Sequence, residues 1–464
     1  MKFKYLILYA LPLPVLVNFL FFREEFQKII LENFLKNLPL TFLIFLICLL
    51  FANEIKRAFN FNSISFAIVF VITTPFILNN VFLIFMKEIS FNIFNLLYVL
   101  LLTTTALYKN KFSFISIKNF SIVYGLVFLV NWLTQNVNEK VIIPGNKDLW
   151  TFDEQKLWLP TTKKIFEENY FISLINNPIE GYGLLSSYVK AFLTWIASIS
   201  SSYVYMPSVS NLFFLFLLLL IIESPFSINS KAISTVILIS VVFTSSWTNY
   251  LFFNSLLGEG VVGYIYGVLI FELFNLKDKF NNRQILRLIS LLLGTLVFGK
   301  NFLTAVSLFS IFLIFIVLKK DFYLFIFGSI PFIISLINFI LLKIDFLWIY
   351  YLRWGSGAEY YQNASINNLI PLFTEYLKDI PMSYLTFVII LLFLFTLNDY
   401  FINKVVLIST VSMVFNLFII FILAIFSSFF PEPNDLYRYT ILPFYLYILL
   451  LIYGLDLAED RFKN

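Results

Sequence analysis

Apolar runs long enough to cross a bilayer recur along this chain from end to end, and that repetition constrains the fold more than any motif. A membrane helix needs about 20 mainly apolar residues, because about 30 Å of hydrocarbon is crossed at about 1.5 Å per residue. Segments 206–222, 302–318 and 405–426 are of this kind. Composition agrees, with 60% hydrophobic and 13% charged residues, against about 45–50% and about 25% in a soluble globular domain. In lipid every backbone N–H and C=O must find a partner inside the segment, so such runs fold as helices. The expected fold is all-α, a polytopic bundle of transmembrane helices.

Fourteen runs qualify as spans: 5–22, 38–53, 63–86, 91–107, 119–133, 206–222, 232–248, 259–275, 285–299, 302–318, 322–343, 383–398, 403–428 and 439–456. The first follows Lys2 and Lys4 and lacks a small-residue cleavage site, so it reads as a retained helix. Basic residues collect in short cytoplasmic loops. With Lys2 and Lys4 inside, alternate counting also puts Lys56, Arg57, Lys109, Lys118, Lys231, Arg287, Lys404 and Arg461 inside. Arg23, Lys28, Lys36 and Lys87 fall outside, each near a glutamate. Both termini are then cytoplasmic, and the polar loop 134–183 lies outside. The count requires that 184–203 does not cross. Its Ser186, Ser187, Lys190 and Thr194 fit an amphipathic helix lying at the outer interface.

Whole classes of chemistry drop out. The chain has no histidine, which removes imidazole bases, His-ligated metals and Ser-His triads. Cys48 is the only cysteine, so no intrachain disulfide forms. The net charge of +5 is scattered over many loops, which marks topology rather than a nucleic-acid-binding face.

The candidate polar groups gather on the outer side. Asp153 and Glu154 are adjacent carboxylates between Trp150 and Trp158, ahead of a helix-like stretch 159–169. A partly desolvated carboxylate serves as a general base or metal ligand, although a solvated pair capping a helix reads the same way. Glu259 stands between Gly258 and Gly260 at the outer end of a span, and Lys300 occupies a tight outer turn. Each is equally readable as a charge reaching the interface. The loop 345–363 carries Arg353 among Trp348, Tyr350, Tyr351, Trp354, Tyr360 and Tyr361. Its aromatic faces suit sugar rings, lipid headgroups or an interfacial belt. Arg438-Tyr439, with Pro443 following, precedes the last span. A guanidinium fork matches phosphate geometry.

The order of Phe152-Asp153-Glu154-Gln155, Asn177-Pro178-Ile179-Glu180-Gly181-Tyr182, Glu259 and Arg438-Tyr439 with Pro443 resembles the GT-C superfamily of membrane glycosyltransferases. The likeness is to bacterial enzymes related to the lipid A aminoarabinose transferase and to protein mannosyltransferases. It covers roughly residues 119–456. Residues 1–107 then stand as four extra N-terminal helices before a GT-C-like core at 108–464, with its large outer loop at 134–205. The acidic loop follows the fifth helix rather than the first, and the proline segment lacks the His-Pro-Pro of many relatives.

The resemblance implies a sugar donor on a polyprenyl phosphate, a lipid, glycan or protein acceptor, and a bacterial inner membrane. Asp153 would be the base. Glu154 and Glu259 would orient the acceptor or help hold a divalent metal ion. Lys300, Arg353 and Arg438 would neutralise the departing lipid phosphate, with Tyr182 and Tyr439 as substrate contacts. Alternative readings are an O-antigen polymerase or ligase, a lipid-linked saccharide flippase, and a non-catalytic scaffold subunit. No nucleic-acid partner is expected.

Overall fold

The structure, a computed structural model, describes residues 8–21, 25–85, 90–109, 114–136, 159–167, 184–196, 206–245, 259–276, 283–299, 301–318, 321–342, 365–400, 403–426 and 441–463. Every regular element among them is helical. The chain runs through α1 (Leu13–Phe21), α2 (Glu25–Phe59), α3 (Ile64–Phe85), α4 (Phe91–Lys109) and α5 (Phe114–Asn136). Two short helices follow, α6 (Leu159–Glu167) and α7 (Leu185–Ile196). Then come α8 (Met206–Glu223), α9 (Ile228–Thr244), α10 (Glu259–Asn275) and α11 (Arg283–Gly294), which continues as a 3₁₀ turn (Thr295–Phe298). The last six are α12 (Asn301–Val317), α13 (Tyr323–Leu342), α14 (Leu369–Lys378), α15 (Ile380–Tyr400), α16 (Lys404–Phe426) and α17 (Ile441–Lys463).

The expected apolar runs coincide with helices. Among the described residues five stretches, Asn37–Phe59, Ile64–Phe85, Phe91–Lys109, Ile380–Leu397 and Lys404–Ile422, are long and apolar enough to cross a membrane. The shorter α10 lies at the centre, buried from Gly260 to Phe274 and packed by α3, α7, α8, α16 and α17. A helix apolar on every side belongs in such a place. Ile93, Leu97 and Leu101 on α4, Phe128 on α5, Leu394 on α15 and Phe418 on α16 point outward, giving the rim an apolar surface that lipid can cover. The N-terminal helices share this core, since α2 packs along α8 and α3 against α10 and α13.

Helix ends set the rest of the geometry. At one end of the bundle α2 stops at Asn60, which takes the left-handed conformation with φ 55°. Phe61 N–H then donates to Lys56 O and Asn60 N–H to Arg57 O, the pairing that closes a helix through a left-handed residue. Glu223 and Glu272, from the last turns of α8 and α10, reach across to the start of α3. Glu54 accepts from Arg57 and from Asn119. Ser227 caps α9 and donates its hydroxyl to Glu459, while its N–H donates to Asp456. Arg287 pairs with Asp321 at 3.0 Å. This tied end gathers Lys56, Arg57, Lys109, Lys118, Lys231, Arg287, Lys404 and Arg461, the residues expected to share one side.

The opposite end, here the loop end, holds the starts of α4, α7, α10, α12 and α15. Asp379 anchors it by accepting the Met382 N–H at the start of α15 and the hydroxyl of Ser245, which closes α9.

One expectation is corrected. The segment 184–203 was expected to lie along an interface; residues 197–203 lie outside the described residues, and the described part, α7, is wedged inside the bundle. Leu184 through Thr194 are all buried, with neighbours on α3, α6, α8, α10 and the 3₁₀ turn. Its 12 residues rise only about 18 Å, too short to cross.

Candidate functional site

Ring contacts fix the course of α7. Tyr188 meets Phe91 with centroids 5.3 Å apart, and Phe192 meets Tyr98 at 6.0 Å. Both α7 and α4 therefore run away from the loop end side by side. By Trp195 and Ile196 the short helix has descended to the level of Val99, about 12 Å below the start of α4 at 1.5 Å per residue.

Below α7 lies a cavity of about 480 Å³, within the range of small-molecule sites. Its inner wall is Ile47, Cys48, Phe51 and Ala52 of α2 with Ile68, Val71 and Ile72 of α3. Leu96, Val99 and Leu100 of α4 and Val123 and Tyr124 of α5 form its sides, and Phe166, Leu193, Trp195 and Ile196 its roof. The lining is almost wholly hydrocarbon, and an apolar cavity holds no stable water. It opens sideways. Among the described residues α4 and α5 hardly touch, and a hydrogen bond between Thr103 Oγ1 and Tyr124 Oη, 3.5 Å, spans them. Leu96 (51% exposed), Leu100 (46%) and Tyr124 (47%) stand at that gap. The groove is thus an apolar slot between two outward-facing helices.

Toward the loop end the slot is closed by a buried polar network. Asn79 Nδ2 donates to Tyr188 Oη at 3.4 Å, and Tyr188 Oη donates to Asn95 Oδ1 at 3.2 Å. Phe76 and Phe91 hold the tyrosine ring edge-on, each at 5.3 Å. Asn95 Nδ2 is buried without a hydrogen-bond partner. On the neighbouring α13, Asn338 donates to Asn80 O, and its own Oδ1 is left without one. Asn95 Nδ2 and Asn338 Oδ1 are thus buried amide atoms with unused bonding capacity. Burying them empty costs free energy.

The residues singled out by sequence relate to this site as follows. Asp153, Glu154, Tyr182, Lys300, Arg353, Arg438 and Tyr439 lie outside the described residues, and Glu259 opens α10 with only its backbone described. Their described neighbours sit at the loop end: Asn136 and Leu159 flank the acidic pair, Leu184 follows Tyr182, and Gly299 and Asn301 flank Lys300. Among the described residues no group of three His, Cys, Asp or Glu side chains gathers to hold a metal ion. Sequence reading missed the slot, because its isoleucines, valines and leucines look like any core, and it missed the Asn79–Tyr188–Asn95 network, which joins three separate helices. No family model, no curated protein and no solved structure matches the chain.

Proposed function

We propose that this chain is an integral membrane glycosyltransferase, which moves a sugar from a polyprenyl-phosphate donor to an acceptor at the loop end. The observation that carries the reading is the apolar slot between α4 and α5, open to the side and roofed by α7. A polyprenyl donor is a long hydrocarbon whose reactive group sits at one end. An enzyme acting on it needs a lateral apolar channel that ends beneath its polar chemistry. The loops carrying the GT-C-like residues leave from the end toward which the slot points.

In this mechanism Asp153 removes a proton from the acceptor hydroxyl as the oxygen attacks the anomeric carbon in line, inverting its configuration. The bond to the lipid phosphate breaks, and the phosphate leaves with the electron pair. Lys300, Arg353 and Arg438 meet that developing charge, where fixed cations in a low-dielectric site contribute most. Glu154 and Glu259 orient the acceptor, or hold a divalent ion that would further screen the phosphate. Tyr182 and Tyr439 pack against the sugar. Basic residues at the tied end favour its placement in the cytoplasm, which puts the loop end on the outer face of a bacterial inner membrane.

The test is transfer of radiolabelled sugar from polyprenyl phosphate by the full chain in lipid nanodiscs. Asp153→Asn is expected to slow transfer by about 10²–10⁴, the usual worth of a positioned base. Full activity in that variant would remove the role given to Asp153. Absence of transfer from every polyprenyl-phosphate sugar, together with no polyprenol binding, would remove the reading.

A further inference from the structure

The short helix α14, at the loop end, shows two different faces to the outside, and the mechanism above uses neither. Within its ten residues Ile370, Phe373 and Leu377 fall in an arc of about 60° at 100° per residue. Ile370 is 63% and Leu377 69% exposed, and Phe373 is half-exposed between them. Thr374 and Lys378, about 90° round the helix on one side, are exposed as well. Leu369 and Tyr376, about 80° round on the other side, pack against the core. Water alone does not favour an unbroken apolar arc, and hydrocarbon alone does not favour a lysine beside it. This three-way division fits a helix lying along the boundary between the two.

Two spanning helices fix where that boundary falls. Just ahead of α14, Ser365 N–H donates to Ile425 O near the end of α16, and Phe373 meets Phe421 with centroids 5.5 Å apart. At its other end Asp379 leads directly into α15. There Tyr376 Oη donates to Met382 O at 3.3 Å, and Ser383 Oγ donates to Tyr376 O at 2.8 Å. The helix therefore runs from the end of α16 to the start of α15, across the loop end. From Lys404 to Ile425, α16 rises about 32 Å, and the apolar stretch Ile380–Leu397 of α15 rises about 26 Å before Asn398 and Asp399. Both rises match the roughly 30 Å of hydrocarbon in a bilayer. With the basic residues of the tied end at one boundary, α14 falls at the other. The apolar surface is also continuous, since Leu377 is followed by exposed Ile380 and then by Phe387, Ile390 and Leu394 on the outward side of α15.

We propose that α14 is an in-plane membrane anchor whose partner is the lipid bilayer at the loop end. Ile370, Phe373 and Leu377 enter the edge of the hydrocarbon. Thr374 and Lys378 stand among the headgroups, the lysine stem lying along apolar surface with its ammonium in the polar layer. The interfacial position expected of α7 is taken instead by α14. The anchor does not depend on sugar transfer.

The test is spin-label accessibility in lipid nanodiscs, using Ile370→Cys, Leu377→Cys, Thr374→Cys and Lys378→Cys, each in a Cys48→Ala background. Phe387→Cys is the hydrocarbon reference. Labels at 370 and 377 are expected to favour collision with oxygen over a water-soluble nickel chelate by about threefold or more relative to those at 374 and 378. Equal, water-like ratios at all four positions overturn the proposal. So do labels at 370 and 377 that are shielded from both oxygen and nickel, the result a protein partner would give, or that show dipolar broadening from a second copy. The unmodified chain supplies a second reading should the cysteine variants misfold. A diazirine carried on a lipid acyl chain near the headgroup should insert into the peptide 366–378. Insertion there from a water-soluble diazirine alone overturns the anchor.

Discussion

Glu223 closes α8, yet its carboxylate serves the start of α3: Oε1 accepts the Ile64 N–H at 2.6 Å, and Oε2 accepts both the N–H and the hydroxyl of Ser65 at 2.8 and 2.7 Å. The first four N–H groups of a helix have no partner within it. Here all are accounted for, because Phe66 N–H donates to Ser63 Oγ and Ala67 N–H to Ser63 O. A carboxylate is unfavourable at the end of its own helix and favourable at the start of another. The contact resolves both demands and fixes α8 against α3. Glu223→Gln is expected to destabilise the protein by about 1–3 kcal/mol, because one N–H loses a charged acceptor and the new amide presents donors to donors. Ser65→Ala keeps both backbone bonds and should cost less. Thermal unfolding in detergent orders the variants, and equal midpoints for wild type and Glu223→Gln would refute the cap.

A close helix crossing joins α11 to α13. A methyl group added at Gly294 would sit 2.3 Å from the Gly328 carbonyl oxygen, whereas one at Gly125 would meet nothing within 4 Å. Small residues let helix backbones approach in this manner. Gly294→Ala is therefore expected to cost about 1–3 kcal/mol through overpacking. Gly125→Ala should be neutral, or stabilising by up to about 1 kcal/mol through helix propensity. Measured side by side, the two alanines separate packing from propensity, and similar effects would show that the crossing is looser than described.

What was legible in the sequence follows from the range of each signal. A span is written locally, as some twenty apolar residues bounded by turns, so α3, α4, α15 and α16 were readable where they stand. Ser63 and Ser227 are ordinary cap residues just ahead of apolar runs and mark helix starts just as locally. The burial of α7 was not readable. Ser186, Lys190 and Thr194 form a polar stripe whether it faces water or the interior of a bundle, and only the surrounding helices decide which. The slot was hidden for a related reason. Leu100 and Tyr124 are each on helices that look complete, and the gap between α4 and α5 is a relationship between helices that neither sequence carries. The Asp153 and Arg438 motifs were found by resemblance, and they lie outside the described residues.

The Tyr188 hydroxyl is the centre of the polar network over the slot, between Asn79 and Asn95. Tyr188→Phe would keep the ring contacts with Phe76 and Phe91 and remove both hydrogen bonds. An amide donor and an amide acceptor would then be buried unpaired, at about 1–3 kcal/mol in total. The expected result is a lower unfolding midpoint without loss of the purified monodisperse protein. A double change, Tyr188→Phe with Asn79→Leu, should recover part of the loss, because it removes the stranded donor together with its partner. No recovery would mean that the hydroxyl matters for something other than pairing these amides.

Ala52 offers the sharpest test of the slot itself. It is buried on α2 and lines the inner wall, so a larger apolar side chain grows into space rather than into protein. Filling a cavity commonly stabilises by about 0.5–2 kcal/mol, while forcing methylenes into a packed core costs about 1–3 kcal/mol. Ala52→Phe is expected to follow the first course, leaving the unfolding midpoint equal or higher. The same ring would occupy the volume proposed for a lipid tail, so polyprenol binding should fall about tenfold or more, and sugar transfer with it. Ile390→Phe, on the outward face of α15, is the control for adding an aromatic ring elsewhere and should change neither. A destabilised Ala52→Phe would mean that the cavity is smaller than 480 Å³ in the working protein. A stable variant with undiminished polyprenol binding would mean that the tail lies elsewhere, and the groove would then be only a packing gap between α4 and α5.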